Sequence, residues 1–464
     1  MNEPRARRLA KTLAREVALV LPAPLLLLVV RYFSWGSAPE KLLSLASLFA
    51  FVALATRRAG YVGSLFEAVR ARRVLNVLVA ALFAWHAALF VRDIARGDQC
   101  LTDMGRPSIC AGEWLLRGIN PWAECVDRRT LGAVARGDRS TWAWCMAGGG
   151  CIDWKGGHAF PNWPHHGPGF DFMDGYKYGP VTALVYVPFT HALRERGLYV
   201  VNFAFWLAQC VLIVWLARLA YPGQQSAAAR ALLILLLPLA IPLGRLLPAA
   251  KFTALGASHA LRPPEFDTFV LELTQRCSMD IIPVVFGLLS VACIARQRTL
   301  ASGAWLGLSL AAKQLPGLMW CALFPGLSGV RVWRLVLATG AVAVAMYLPA
   351  LLWAPRELIA NLILFTAQRP TNPSSVRVYL PDAFDLVLTS AQLLGCAVLA
   401  FRYARGSERD LGMLLRTGCL MCIVFIALNK VVHGNYLLWL QPLLALTLAG
   451  RPFRPALAAT VSVS

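Results

Sequence analysis

The chain has 464 residues, of which 58% are hydrophobic and 15% charged, with mean hydropathy +0.58 and formal net charge +21. That is too apolar for a soluble domain of ordinary surface. Short basic loops stay on the cytoplasmic side of a membrane, so the positive charge reads as orientation plus attraction to anionic headgroups, which excludes nucleic acid as the expected partner.

A helix needs about 20 apolar residues to cross a bilayer, and runs near that length recur from end to end. Runs at 16–33, 42–56, 74–92, 199–217, 229–249, 279–295, 332–353, 383–401, 411–429 and 435–450 are read as spans. Shorter or Pro-interrupted runs lie at 179–193, 300–312 and 315–328. The expected fold is all-α and integral to the membrane, a bundle of about 12 transmembrane helices. The first run is long and lacks a small-residue cleavage site, so it reads as a retained span and not as a signal peptide.

Arg5, Arg7, Arg8, Lys11 and Arg15 precede the first span and predict a cytoplasmic N-terminus. Further basic clusters at Arg57 and Arg58, Arg70 to Arg73, Arg296 and Arg298, Arg331 and Arg334, Arg402 to Arg409, and Arg451 and Arg454 mark cytoplasmic turns. The alternation then puts 93–178, 250–278, the Lys313 turn, 354–382 and 430–434 outside. Between 179 and 249 three apolar segments occupy a stretch that needs an even number; the run 229–249, broken by Pro238 and Pro242, is one candidate for a re-entrant or double segment. Three regions follow: N-terminal helices over 1–92, an extracytoplasmic loop over 93–178, and the remaining bundle over 179–464.

The large loop holds Trp114, Trp122, Trp142, Trp144, Trp154 and Trp163 and ten carboxylates. Its tryptophans suit an interfacial belt or stacking on sugar rings. Ala111 to Arg117 predicts a short helix stopped by Gly118, with a turn at Asn120 and Pro121. Cys100, Cys110, Cys125, Cys145, Cys151 and Cys277 fall in predicted outside segments, where disulfides are the preferred reading. A zinc site using His158, His165 and His166 is the rival, but the spacing matches no zinc signature. In the second outside segment, Glu357 to Thr366 reads as an interfacial helix or a plain connector.

Ionisable groups near the bilayer are functional candidates because their placement is costly. Asp103 can act as general base toward a sugar hydroxyl, or be one loop acid among ten. Lys313, between two short apolar runs, fits a phosphate headgroup, or snorkels at a helix end. His433, in Asn429 to Tyr436, can donate to a phosphate or orient a sugar, or be a satisfied structural group.

Taken in order, these segments resemble the GT-C superfamily of polytopic glycosyltransferases, most closely the family 87 mannosyltransferases that use polyprenyl-phosphate sugars. The resemblance rests on Asp103, then Leu116 to Trp122 as a Leu-x-Gly-x-x-Pro-aromatic element with Trp122 in place of the usual tyrosine. It continues through Tyr178 to Pro180, Lys313 to Pro316, Asn372 to Ser374, and the tyrosine-bearing stretch His433 to Tyr436. Two extra spans precede the loop, an even insertion that preserves orientation, and the loop is unusually long and cysteine-rich.

The resemblance implies a GT-C-like bundle and an inverting transfer of a sugar, mannose first, from a polyprenyl-phosphate donor to a lipid or glycan acceptor. The expected site lies on the outer face of a plasma (inner) membrane. Asp103 is the implied catalytic base, with Lys313, Arg369 and His433 contacting the donor phosphate and Trp122, Tyr178, Asn372 and Tyr436 contacting substrate. No metal and no other cofactor is implied. The rival readings are a secondary transporter or lipid flippase, which predicts an internal repeat and deeply placed charges, and a non-catalytic polytopic assembly factor.

Overall fold

A computed structural model describes residues 69–96, 105–122, 176–240, 278–320, 330–364, 375, 377, 380–405, 410–429 and 436–450. All regular structure among them is helical. In chain order the helices are α1 (Val69–Arg96), α2 (Gly105–Leu116), α3 (Pro180–Leu193), α4 (Glu195–Ala220), α5 (Ala227–Ala240), α6 (Ile281–Ala295) and α7 (Thr299–Ala312). They continue as α8 (Gln314–Met319), α9 (Val330–Trp353), α10 (Pro355–Ile359, running into a π turn at Ala360–Leu364), α11 (Asp385–Arg405), α12 (Leu411–Ala427) and α13 (Leu437–Leu448).

Four stretches, Leu75–Ala95, Glu195–Ala220, Arg331–Trp353 and Asp385–Arg405, are helices long and apolar enough to cross a membrane. Six further apolar helices of 10–17 residues pack beside them, among them Ile281–Ala295, Thr299–Ala312 and Leu411–Ala427. Each coincides with an apolar run read from the sequence.

Local sequence explains where the helices stop. Gly118 takes φ +70°, and the Ile119 N–H returns to the Trp114 carbonyl at 2.9 Å, so α2 ends in a glycine cap as expected. The helix begins earlier than expected, at Gly105. Arg194, at φ 56°, breaks α3 from α4, and Pro180 opens α3 at a position where a missing N–H costs nothing. Lys313 leaves the helical region at φ −155° and ψ 126°, separating α7 from α8.

Contacts give each helix a direction. Asn202, early in α4, donates to the Ser278 carbonyl ahead of α6, while Arg296 beyond the far end of α6 lies 4.2 Å from the ring of Trp215. α4 and α6 therefore run the same way, and α7 returns antiparallel to bring Lys313 back beside Asp280. α9 runs parallel to α7: Gly303 faces Leu335 and Ala338, and the Tyr347 hydroxyl donates to the Leu310 carbonyl at 3.1 Å. At one end of the bundle stand Asp280, Lys313 and Tyr436. At the other stand Arg296, Arg298, Arg331, Arg334, Arg402 and Arg405, the same partition that the basic clusters predicted.

Within 179–240, the described part of the stretch with three apolar segments, α3 is the segment that does not traverse the bundle. The Gly179 N–H and the Thr182 hydroxyl both donate to the Ala312 carbonyl, which fixes the start of α3 at the Lys313 end. Its last turns pack on α2 through His191 and Glu113, and on the first turn of α4 through Phe189 and Gly197. Because Asn202 is level with Ser278, α4 also begins at that end. α3 thus starts and finishes on one side, leaving α4 and α5 as the pair that traverses the bundle.

The core is a continuous apolar cluster in which Trp206 meets Phe83, Phe90 and Phe203, and Phe286 meets Phe205 and Trp305. Lipid is as apolar as leucine, so helix association in a membrane relies on close backbone approach at small residues. α7 meets α9 at Gly303 and Gly307, four residues apart, where a Cβ would stand 2.6 Å from the Leu335 carbonyl and 2.7 Å from the Thr339 carbonyl. Trp114 and Trp122 are both 2% exposed, so neither is a belt residue or an open stacking surface. Cys110 is disulfide-bonded.

Two measurements check this arrangement. In single-cysteine variants, Arg194→Cys is expected to react with a membrane-impermeant maleimide from the same side as Arg117→Cys and from the side opposite Arg298→Cys; labelling of Arg194→Cys together with Arg298→Cys would mean that α3 crosses. Gly307→Leu is expected to cost about 1–3 kcal/mol by overpacking, seen as earlier thermal aggregation in detergent.

Candidate functional site

The ends of α3, α6, α7 and α13 meet around one ion pair. Asp280 is the last residue before α6, where an aspartate ordinarily caps its own helix. Here its side chain makes no cap hydrogen bond. Oδ1 instead accepts from Lys313 Nζ at 2.5 Å and from Trp439 Nε1 at 3.0 Å, and Oδ2 accepts from the Ser278 hydroxyl at 2.7 Å. The carboxylate is fully buried and the lysine side chain is 13% exposed.

A carboxylate and an ammonium in such a place are each costly alone and tolerable together, provided that their remaining hydrogen-bonding capacity is met. The ammonium also lies 5.4 Å from the ring of Tyr178 and 5.5 Å from that of Trp439, within cation–π range. Tyr436 stacks on Trp439 at 4.0 Å, so the α13 terminus presents a two-ring wall to the pair.

A second layer holds this one in place. Trp122 donates its indole N–H to the Tyr178 carbonyl at 3.2 Å and its backbone N–H to Asn120 Oδ1 at 2.9 Å. The Trp122 carbonyl accepts from Asn361 Nδ2 at 3.0 Å, which ties the π turn after α10 to the loop after α2. The Tyr176 hydroxyl donates to Ser108 on α2. Gly179 sits so close to α7 that a Cβ there would overlap the Ala311 carbonyl. Gln314 Nε2 donates to the Tyr347 hydroxyl at 3.0 Å, fastening the start of α8 to α9.

Four residues expected from the sequence therefore converge: Tyr178 and Lys313 in contact, Tyr436 one ring behind, and Trp122 underneath as a buried strut. Asp103, Arg369, Asn372 and His433 lie outside the described residues. Asp280 and Trp439 were missed, and Asp280 had a legible signal. Residues 280 and 313 lie almost equally far from the Arg296 to Arg298 turn, so in an antiparallel hairpin the acid and the base stand nearly level. Trp439 carried none, since an indole inside an apolar run reads as core.

Glu113 is a further buried carboxylate, 3.4 Å from His191 Nδ1, and it joins α2 to α3. Among the described residues no group of three His, Cys, Asp or Glu side chains could hold a metal ion.

Removing either partner of the pair leaves a buried charge behind. Asp280→Asn and Lys313→Met are each expected to lose about 3–5 kcal/mol, and the Asp280→Asn/Lys313→Met double variant to recover most of it. Additive losses across that thermal-denaturation cycle would show that the two groups are uncoupled.

In comparisons with known proteins no family model matches the chain, and no curated protein and no solved structure shows a significant match to it.

Proposed function

We propose that this chain is an inverting glycosyltransferase that takes a sugar from a polyprenyl-phosphate donor and passes it to a lipid or glycan hydroxyl on the outer face of a plasma (inner) membrane. The observation that carries the reading is the gathering of Tyr178, Lys313 and Tyr436, with Trp122 beneath, at the end of the bundle opposite the basic clusters. These residues come from four distant parts of the chain.

The chemistry needs few groups. A base removes the proton of the acceptor hydroxyl as its oxygen attacks the anomeric carbon; the carbon–oxygen bond to phosphate breaks, and polyprenyl phosphate departs with inversion. Asp103 is assigned the base, and it stands two residues before α2, whose Ser108 bonds Tyr176. Lys313 is assigned to the departing phosphate, with Arg369 and His433 as further contacts. An ammonium has three N–H donors and Asp280 takes one, so the ion pair positions Lys313 without exhausting it. Near an apolar bundle such a fixed cation stabilises developing charge more than it would in water.

One observation favours a second reading. A buried Asp280–Lys313 pair between helix ends is also what a secondary transporter uses to couple charge to movement. Substrate flux in proteoliposomes without any glycosyl transfer would favour it.

Purified protein incubated with a panel of radiolabelled polyprenyl-phosphate sugars and membrane lipid is expected to yield labelled lipid or glycan. Asp103→Asn is expected to abolish the label while the protein stays folded and inserted; retained transfer would move the base to Asp93, Asp98 or another loop acid. The Asp280→Asn/Lys313→Met double variant is expected to be stable but inactive, whereas full activity would reduce the pair to a structural clasp.

A further inference from the structure

The opposite end of the bundle holds a charge that nothing above uses. Arg416 lies in the second turn of α12 and is 8% exposed, yet neither Nε nor Nη2 has a hydrogen-bond partner. Those two nitrogens form one edge of the guanidinium, the edge whose parallel N–H groups take a carboxylate or phosphate in bidentate fashion. A buried guanidinium left without an acceptor is strongly destabilising.

Among the described residues, the surroundings do not supply the missing charge. Tyr221, just beyond α4, is 1% exposed and donates to the Leu446 carbonyl at 2.7 Å. Burial pushes its phenol up to about 12, with Arg416 acting downward, Asp410 and Cys419 upward and Arg230 downward. Two guanidinium groups thus bear on this hydroxyl against one carboxylate, and Asp410 Oδ1 is engaged as the cap of α12, accepting the Met413 N–H at 2.6 Å. Arg230 is 2% exposed and reaches the Ala449 carbonyl, the Ser226 hydroxyl and Gln224 Oε1.

The ends of α4, α5, α12 and α13 meet here, and among the described residues they bury two arginines, Arg230 and Arg416. This is the end where Arg296, Arg331 and Arg402 also stand, the end that faces the anionic cytoplasmic leaflet if the basic clusters orient the chain.

We infer that Arg416, with Arg230 and Tyr221 beside it, forms a binding site for a phosphate-bearing anion at the basic end of the bundle, separate from the Lys313 site. The orphan edge faces protein, so the guanidinium meets the anion by turning about its own side-chain bonds. Either an anionic phospholipid headgroup or free phosphate supplies the required chemistry.

The test compares wild type, Arg416→Gln and Arg416→Lys in nanodiscs of phosphatidylcholine, with and without inorganic phosphate, and in nanodiscs containing phosphatidylglycerol. A ligand that binds only the folded state raises its melting temperature, so wild type is expected to gain a few degrees with phosphatidylglycerol or with phosphate. Gain with the lipid alone identifies a headgroup, and gain with phosphate in phosphatidylcholine identifies a soluble anion; either supports the site. Arg416→Gln removes the orphan charge, so it is expected to be at least as stable as wild type in phosphatidylcholine and to show no gain with either anion. Arg416→Lys keeps the charge but not the fork and is expected to gain less than wild type. An equal gain in wild type and Arg416→Gln overturns the proposal. So does the absence of any gain in wild type, an arm that stands even if a variant fails to fold.

Discussion

A charge placed where helices leave an apolar bundle has to find its opposite, and the Asp280–Lys313 pair is where this fold meets that demand. The requirement is strict because α6 and α7 are only 15 and 14 residues long and held by apolar packing along their length. Apolar contact alone lets one helix slide past another by a turn with little penalty, since leucine against leucine looks much the same in either register. A buried carboxylate facing an ammonium does not permit that slide. Once α6 and α7 are locked, the Ala312 carbonyl becomes the anchor for Gly179 and Thr182, Trp439 fixes α13 through the same carboxylate, and Tyr178 fixes Trp122 and with it the π turn at Asn361.

The elements visible in the sequence were those that one physical variable decides. Apolar length placed α1, α4, α9 and α11, because hydropathy over some twenty residues leaves little room for another structure. The cap at Gly118 was visible because φ +70° is cheap only for glycine. α3 was left open as a shorter candidate because its residues, Pro180 to Leu193, are as apolar as a span; burial against α2 and α4 uses the same residue types as lipid exposure. Hydropathy cannot separate the two, whereas the 14-residue length of α3 and the bond from Thr182 to Ala312 can.

The candidate site was legible to the same extent. Lys313 stood out as a lone charge between apolar runs, and Tyr178 and Tyr436 entered through their place in a family pattern. Trp122 was expected to touch substrate, yet it is buried and supports Tyr178 from below. Asp280 was not singled out. An aspartate directly before a helix ordinarily caps it, and only the level of Lys313 across the hairpin distinguishes this one. The proposed transfer uses the pair in a second way, since the residue that holds the helices in register also holds the cation that is assigned to the leaving phosphate.

The placement of α3 has a consequence for how the protein is made. Its anchoring hydrogen bond joins Thr182 to a carbonyl 130 residues further on. At translation rates of about 5–20 residues per second, α3 leaves the ribosome roughly 7 to 26 s before its partner is synthesised. During that interval an apolar segment that is not meant to cross stands beside an insertion machinery that reads hydrophobicity. Arg194 and Arg196 follow it immediately, and with the Lys313 end outside, as the basic clusters predict, it is the non-crossing arrangement that carries both charges through the membrane. Two arginines that take no part in the finished packing around Lys313 thus pull α3 toward a crossing until the bond from Thr182 can form.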